Sequence, residues 1–160
     1  MNIDVLIEIP KGSRNKYEYD KEKGIFRLDR VMFSPVHYPT DYGYMIDTLA
    51  DDGDPLDALV LIWEPTFPGC VIQVRPIGVL QMSDEKGTDQ KILCVPTVDP
   101  LWRDVQELDQ VPQHLLKEIE HFFAIYKTLE LKRTLVEGWQ PRPVAEEIVR
   151  YTQEKFKKNQ

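Results

Sequence analysis

The chain has little cysteine, little histidine and no excess of positive charge. Only two of its 160 residues are cysteine. Cys70 and Cys94 each lie in an apolar, strand-like run, so they read as reduced core residues of a cytoplasmic protein, not as a disulfide or a zinc pair. His37, His114 and His121 are the only histidines. His114 and His121 fall two turns apart on a predicted helix and read as surface or core-edge positions. No stretch approaches the roughly 20 apolar residues of a membrane span. The opening "MNIDVLIEIPKG" is too charged, and its apolar part too short, for a signal peptide. No Walker A loop, dinucleotide fingerprint or G-x-S-x-G pattern occurs. A net charge of −7 argues against a nonspecific grip on nucleic acid, which needs a basic face. It leaves anionic substrates open, since a local cationic pocket or bound metal ions can reverse the field. There is no internal repeat and no low-complexity linker, so residues 1–160 read as a single domain.

What is abundant is carboxylate at particular places. The stretch "DDGDPLDALVLIW" sets Asp51, Asp52, Asp54 and Asp57 ahead of an apolar run. Two carboxylates about 4 Å apart repel by roughly 4 kcal/mol at an effective dielectric near 20. A loop pinned to a buried strand has little freedom to relieve that, so a cation is expected there. Hard divalent ions such as Mg²⁺ or Mn²⁺ take oxygen ligands and suit such a set. The EF-hand pattern does not fit, because a strand follows where a helix is needed. Zinc does not fit either, with no histidine or cysteine nearby. A second cluster, Asp84, Glu85 and Asp89, ends at Lys91 and links two predicted strands. Glu8 and Glu18 add carboxylates at strand ends.

The chain reads as strands first and helices last. "IDVLIEI" is a strand, and "KYEYD" with "IFRLDRVMF" reads as a hairpin. Arg30 shares a strand face with Phe26 and Leu28, an odd place for a guanidinium unless it meets an anion. Residues 34–55 read as a long irregular connection rich in Tyr, Pro and Asp. "LDALVLIW", "CVIQVRPIGVLQMSDE" and "QKILCVP" read as further strands, giving a small closed or part-open barrel. Leu115, Ile119, Phe122, Phe123 and Tyr126 recur at helical spacing, as do Ala145, Ile148, Val149, Thr152 and Phe156. Two amphipathic helices therefore pack on the barrel, and the class is mainly β with flanking helices (α+β).

Lys16, Arg30, Lys91 and Lys127 sit in or beside these elements, with Tyr38, Tyr42 and Tyr126. Carboxylates mixed with a few Lys, Arg and Tyr suit phosphoryl chemistry. Metals bridge a polyanion to the carboxylates, and the cationic side chains hold its outer oxygens.

The segments "IEIPKGSRNKYEYD", "LDR", "YPTDYGYM", "DDGDPLDALV", "RPIGVLQMSDEKGTDQKILCVP", "HFFAIYKTLE" and "VEGW" together resemble the family I soluble inorganic pyrophosphatases, over nearly the whole chain. The compact stretch before Glu8 looks like the actinobacterial type. The resemblance implies a five-stranded OB-like barrel with flanking helices that hydrolyses pyrophosphate to two phosphates with several Mg²⁺ ions, Mn²⁺ being an alternative. It implies metal ligation by Asp52, Asp57, Asp84 and Asp89, and by Glu8 and Glu18 directly or through water. It implies Asp54 as acceptor of the proton from a metal-activated water, or Asp89 in its place. Lys16, Arg30, Lys91, Tyr126 and Lys127 would hold phosphate oxygens, and Tyr42 would line the nucleophile side. It further implies a cytoplasmic homohexamer.

Two other readings are weighed beside this one. An OB-type oligonucleotide-binding module needs a basic, aromatic groove, which the acidic charge opposes. A metal phosphohydrolase for nucleotides or sugar phosphates would need a base-stacking or sugar pocket, and none is obvious in the sequence.

Overall fold

A computed structural model describes residues 1–160. The first strand, β1 (Ile3–Ile9), buries Ile3, Val5, Ile7 and Ile9 in strict alternation, as period-two patterning requires. β2 (Asn15–Asp20) and β3 (Ile25–Val31) form a separate two-stranded hairpin. β4 (Asp41–Met45), β5 (Asp57–Val60), β6 (Val71–Asp84), β7 (Gly87–Pro96) and β8 (Thr134–Pro141) complete a six-stranded sheet in the order β1-β4-β5-β7-β6-β8. An additional β1–β6 pairing, Ile3–Leu6 against Val74–Val71, closes five of these strands into a ring. Closure leaves β1 and β6 without a bare edge where they meet. β6 is long enough to serve twice along one edge. Its first residues pair with β1, and residues from Gly78 onward pair with β8. A register shift between Pro76 and Gly78 lets the strand bend between the two tasks.

Two helices, α1 (Gln113–Ile125) and α2 (Arg142–Lys158), follow the barrel strands. α1 buries Leu116, Ile119, Phe122 and Phe123 against Leu59, Leu80 and Leu93. α2 buries Ala145 and Val149 in a second core with Val5, Ile7, Val79 and Ile92. β5 and β7 therefore present alternate residues to two apolar clusters, which explains their nearly unbroken hydrophobic runs. The expected five-stranded OB-like barrel with two C-terminal helices is the fold found. No helix is long and apolar enough to cross a membrane.

The structure departs from the sequence-based expectations at five points. The connection 34–55 contains β4, and β8 lies where no strand was expected. β5 is only four residues long, because the chain leaves the ladder after Val60. α1 stops at Ile125, and Thr128–Glu130 form a short 3₁₀ turn. Leu28 does not share a sheltered face with Arg30: it is 55% exposed. A bulge is the reason. Lys16 pairs with Arg30 but Tyr17 pairs with Leu28, leaving Asp29 as the extra residue that resets the alternation.

Candidate active site

The site is built around one buried ammonium. β5 and β7 run parallel with Asp57 beside Lys91, and Asp89 lies two residues before Lys91 on the same strand. Period-two alternation sends Asp89 and Lys91 to one face. Lys91 is 2% exposed, and its Nζ donates to Tyr42 Oη at 2.9 Å, Asp57 Oδ2 at 3.0 Å and Asp89 Oδ1 at 3.2 Å. The Tyr42 and Phe123 ring centroids lie 5.0 and 5.3 Å from it. Burial alone would lower this ammonium. The charges of Asp57 and Asp89, with Tyr42, outweigh it and hold Lys91 well above the ordinary lysine value.

The carboxylates around Lys91 lean the other way. Burial raises Asp89, and the charges of Asp57 and Asp84 add to the rise while Lys91 opposes it. Glu8, on β1, accepts the Tyr19 amide at 2.9 Å. Burial, helped by the charges of Asp57 and Glu18, pushes it up to about 7. Both shifts come first from burial, with neighbouring carboxylates adding to them.

The cationic wall comes from the hairpin and from the end of α1. Lys16 Nζ lies 3.5 Å from Asp29, and Lys127 Nζ lies 3.7 Å from Asp84. Burial lowers Lys127, and the neighbouring charges of Arg30, Lys16 and Lys91 lower it further against the pull of Asp84. Burial pushes the Tyr126 phenol up to about 12, with Lys91 and Arg30 acting against the carboxylates Asp89 and Asp57. A chain of charge interactions thus joins Glu8 to Lys16 and Asp57, Asp57 and Asp89 to Lys91, Tyr42 and Tyr126, and Lys127 to Lys16, Arg30, Asp84 and Lys91.

The acidic loop is shaped before it reaches the cleft. Gly53 takes φ +89°, a conformation that suits glycine. The Asp54 amide donates to Asp52 Oδ1 at 2.9 Å. Asp51 is tied to α2, accepting from Tyr151 and Lys155, each at 2.7 Å. Asp52, Asp57 and Asp89 line a small cavity of about 70 Å³. Asp54 and Glu18 are exposed, and Asp54 does not line that cavity. A broader groove of about 670 Å³ runs past Ser83, Asp84, Lys132 and Arg133 beside the cleft.

As the side chains lie, no three carboxylates converge on a single ion position. The Lys91 ammonium stands between Asp57 and Asp89 instead. The donor set nevertheless fits hard divalent cations: it is all oxygen, it carries surplus negative charge, and two of its carboxyls are raised first by burial and then by their carboxylate neighbours.

Residues 5–157 match the family model for inorganic pyrophosphatase. The chain belongs to the inorganic pyrophosphatase family. The inorganic pyrophosphatase of Methanosarcina mazei is 59% identical, the match covering 98% of this chain and 95% of that one. That of Leifsonia xyli is 57% identical over 91% and 90% of the two chains. The crystal structure of the inorganic pyrophosphatase from Thermus thermophilus superposes with a TM-score of 0.95 at 45% identity, covering 98% of this chain and 91% of that one.

Two polar residues of this pyrophosphatase-family chain escaped the sequence reading. Asp41 is fully buried and accepts from the Lys11 amide (2.7 Å), the Thr66 amide (3.2 Å) and the Thr66 hydroxyl (2.6 Å). It braces two loops next to Tyr42. Its signal was a carboxylate inside "TDYGYM", hidden once that stretch was read as loop. Glu130 pairs with Arg30 at 2.6 Å. Nothing in the charged run "TLELKR" distinguishes it, because its partner lies one hundred residues away.

Proposed function

We propose that residues 1–160 act as one pyrophosphatase domain, hydrolysing pyrophosphate to two phosphates with Mg²⁺, and with Mn²⁺ as a possible substitute. Membership of the family makes the chain an inorganic diphosphatase. The single observation that carries the finer reading is the cleft in which Lys91 lies between Asp57 and Asp89, with Lys16, Arg30 and Lys127 within reach of the same field.

Asp52, Asp57, Asp84, Asp89, Glu8 and Glu18 would hold the divalent cations. Bound there, such ions supply charge neutralisation of the polyanion and a lowered pKa for water. The chain's own residues do the rest. Asp54, exposed at the loop tip, accepts the proton of the attacking water; Asp89 is the alternative acceptor. The water oxygen bonds to one phosphorus as the bridging P–O bond breaks, and the leaving phosphate carries away the bridging oxygen. Lys16, Arg30, Lys91, Tyr126 and Lys127 hold outer phosphate oxygens, where positive charge and hydrogen-bond donors offset the charge that moves onto the leaving group. Tyr42 donates or accepts beside Lys91 on the nucleophile side.

The same reading takes the protein as a cytoplasmic homohexamer. Large apolar side chains left exposed, such as Trp63, Val98 and Leu101, are available for contacts between copies.

The test is phosphate release from pyrophosphate with Mg²⁺, with EDTA, and from ATP for comparison. Fast release from pyrophosphate that needs Mg²⁺ and far exceeds release from ATP is the expected result. ATP turnover rivalling pyrophosphate would favour a nucleotide phosphohydrolase, and no release from folded protein with any divalent ion would overturn the reading.

A further inference from the structure

Arg30 and Glu130 form a contact that packing does not require. Glu130 lies in the 3₁₀ turn Thr128–Glu130, directly after Lys127. That turn is held by its own backbone, the Glu130 amide donating to the Lys127 carbonyl at 3.1 Å and the Lys132 amide to the same carbonyl at 3.3 Å. The Glu130 side chain is only 5% exposed and that of Arg30 21%. Arg30 Nη1 donates to Glu130 Oε1 at 2.6 Å. Glu130 Oε2 and Arg30 Nε are both buried with no hydrogen-bond partner.

Burying an ion pair seldom stabilises a fold more than apolar groups of the same size would. A half-satisfied pair is worse still, since each orphaned polar atom loses its water for nothing. Such a pair is better explained by what its free atoms await. A guanidinium offers donors in forks, and the fork formed by Nε and Nη2 lies on the edge away from Nη1. Glu130 occupies Nη1 and leaves that second fork without a rigid partner. Asp29 Oδ2 lies 4.0 Å from Nε, too far for a hydrogen bond. Nη2 makes no hydrogen bond and, unlike Nε, is not buried, so it is the donor left open to a phosphate oxygen.

We infer that Glu130 is a positioning residue, which clamps the Arg30 guanidinium by Nη1 so that its Nη2 group is presented to a phosphate group of the substrate. The inference rests on the reading that Arg30 binds phosphate. Glu130 itself touches no reacting atom. It acts by removing the rotational freedom that a long side chain on the bulged strand β3 would otherwise have to lose on binding.

The experiment is steady-state hydrolysis of pyrophosphate by E130M, R30M and R30M/E130M, with thermal melting as a control. Methionine keeps the length and loses the acceptor. E130M should raise KM about tenfold with kcat within about threefold, as expected when an interaction that orders the binding group is lost. R30M should raise KM at least as much, and the double variant should be no worse than R30M, since Glu130 acts only through Arg30. E130Q keeps an acceptor and should return KM to within about threefold of wild type. A folded E130M with wild-type KM, losses that multiply in the double variant, or an E130Q as poor as E130M would each overturn the inference while leaving Arg30 in its role. Wild-type KM in R30M would overturn the phosphate-binding reading of Arg30 and the inference together. Should E130M fail to fold, the comparison of R30M with R30M/E130M decides the question, because the double variant replaces the pair by two apolar side chains.

Discussion

Burial lifts the Glu8 carboxyl to about 7, so near neutral pH the metal-free chain holds a proton there that the unfolded chain has released. A carboxyl raised in the folded state stabilises the fold fully below its unfolded value of 4.5, and that contribution is lost as pH rises through about 7. The loss is at most about 3.5 kcal/mol at about 1.4 kcal/mol per pKa unit. In EDTA, wild type should therefore lose stability between pH 5 and pH 8, and Glu8→Gln should lose much less. Chemical denaturation at both pH values measures this, and parallel losses in the two proteins would show that Glu8 ionisation is not the cause. Asp54 makes the opposite kind of prediction. It is exposed and its side chain is tied to nothing, so Asp54→Asn should leave stability within about 0.5 kcal/mol. As proton acceptor it should nonetheless matter to turnover, with kcat falling by about 10² to 10⁴. Near-full turnover in the variant would move the role to Asp89.

At the scale of elements, β4 shows why some of the fold was legible in the sequence and some was not. A Cβ at Gly43 would fall on the Leu6 carbonyl of the neighbouring strand, so β1 and β4 approach closely only because Gly43 has no side chain. Gly43→Ala should destabilise the protein by about 1–3 kcal/mol or more, because backbone and not a flexible side chain blocks the methyl. A lower urea midpoint at unchanged slope would be the signature, and an unchanged midpoint would mean that the ladder yields freely. β1, β6 and α2 could be read because each buries one face against neighbours that its own periodicity anticipates. β4 has only five residues, two of them tyrosine and one glycine, and its strand character comes from partners at Val5–Ile9 and Asp57–Val60. β8 carries no stronger local pattern, and it exists because β6 offers it an edge. The site divides in the same way. Asp52, Asp57, Asp84 and Asp89 stood out as candidates because clustered charge beside apolar strands is a local anomaly. Glu130 and Asp41 did not, because what makes them notable is a partner distant in sequence.

The whole molecule carries a net charge of −7, and the cleft concentrates that imbalance where Glu8 and Asp89 are both raised by burial and by like charges. Lys91 offsets Asp57 and Asp89 and Lys127 faces Asp84 at 3.7 Å, yet burial and like charges still hold Glu8 and Asp89 above their ordinary values. The metal-free fold should therefore be stable only up to the self-repulsion of its own cleft. Any cation that binds the folded chain and not the unfolded one adds about 2.7 kcal/mol at one hundred times its dissociation constant. For a chain of this size, each kcal/mol moves the melting temperature by about 2–4 °C. One saturated Mg²⁺ site should raise the melting temperature by about 5–10 °C over EDTA, and several sites by more. The gain should be larger at pH 8 than at pH 5, since at the lower pH protons on Glu8 already relieve part of the repulsion and compete with the ion. Lys91→Met should show the sharpest contrast. Without its internal cation the cleft should destabilise the EDTA-treated protein and recover more on adding Mg²⁺ than wild type does. Differential scanning calorimetry of the two proteins, with and without Mg²⁺ at both pH values, reads all of these shifts. An Mg²⁺-insensitive melting temperature in folded wild type would mean that the carboxylates are balanced by the chain's own lysines and arginine, and that this cleft does not hold the ion.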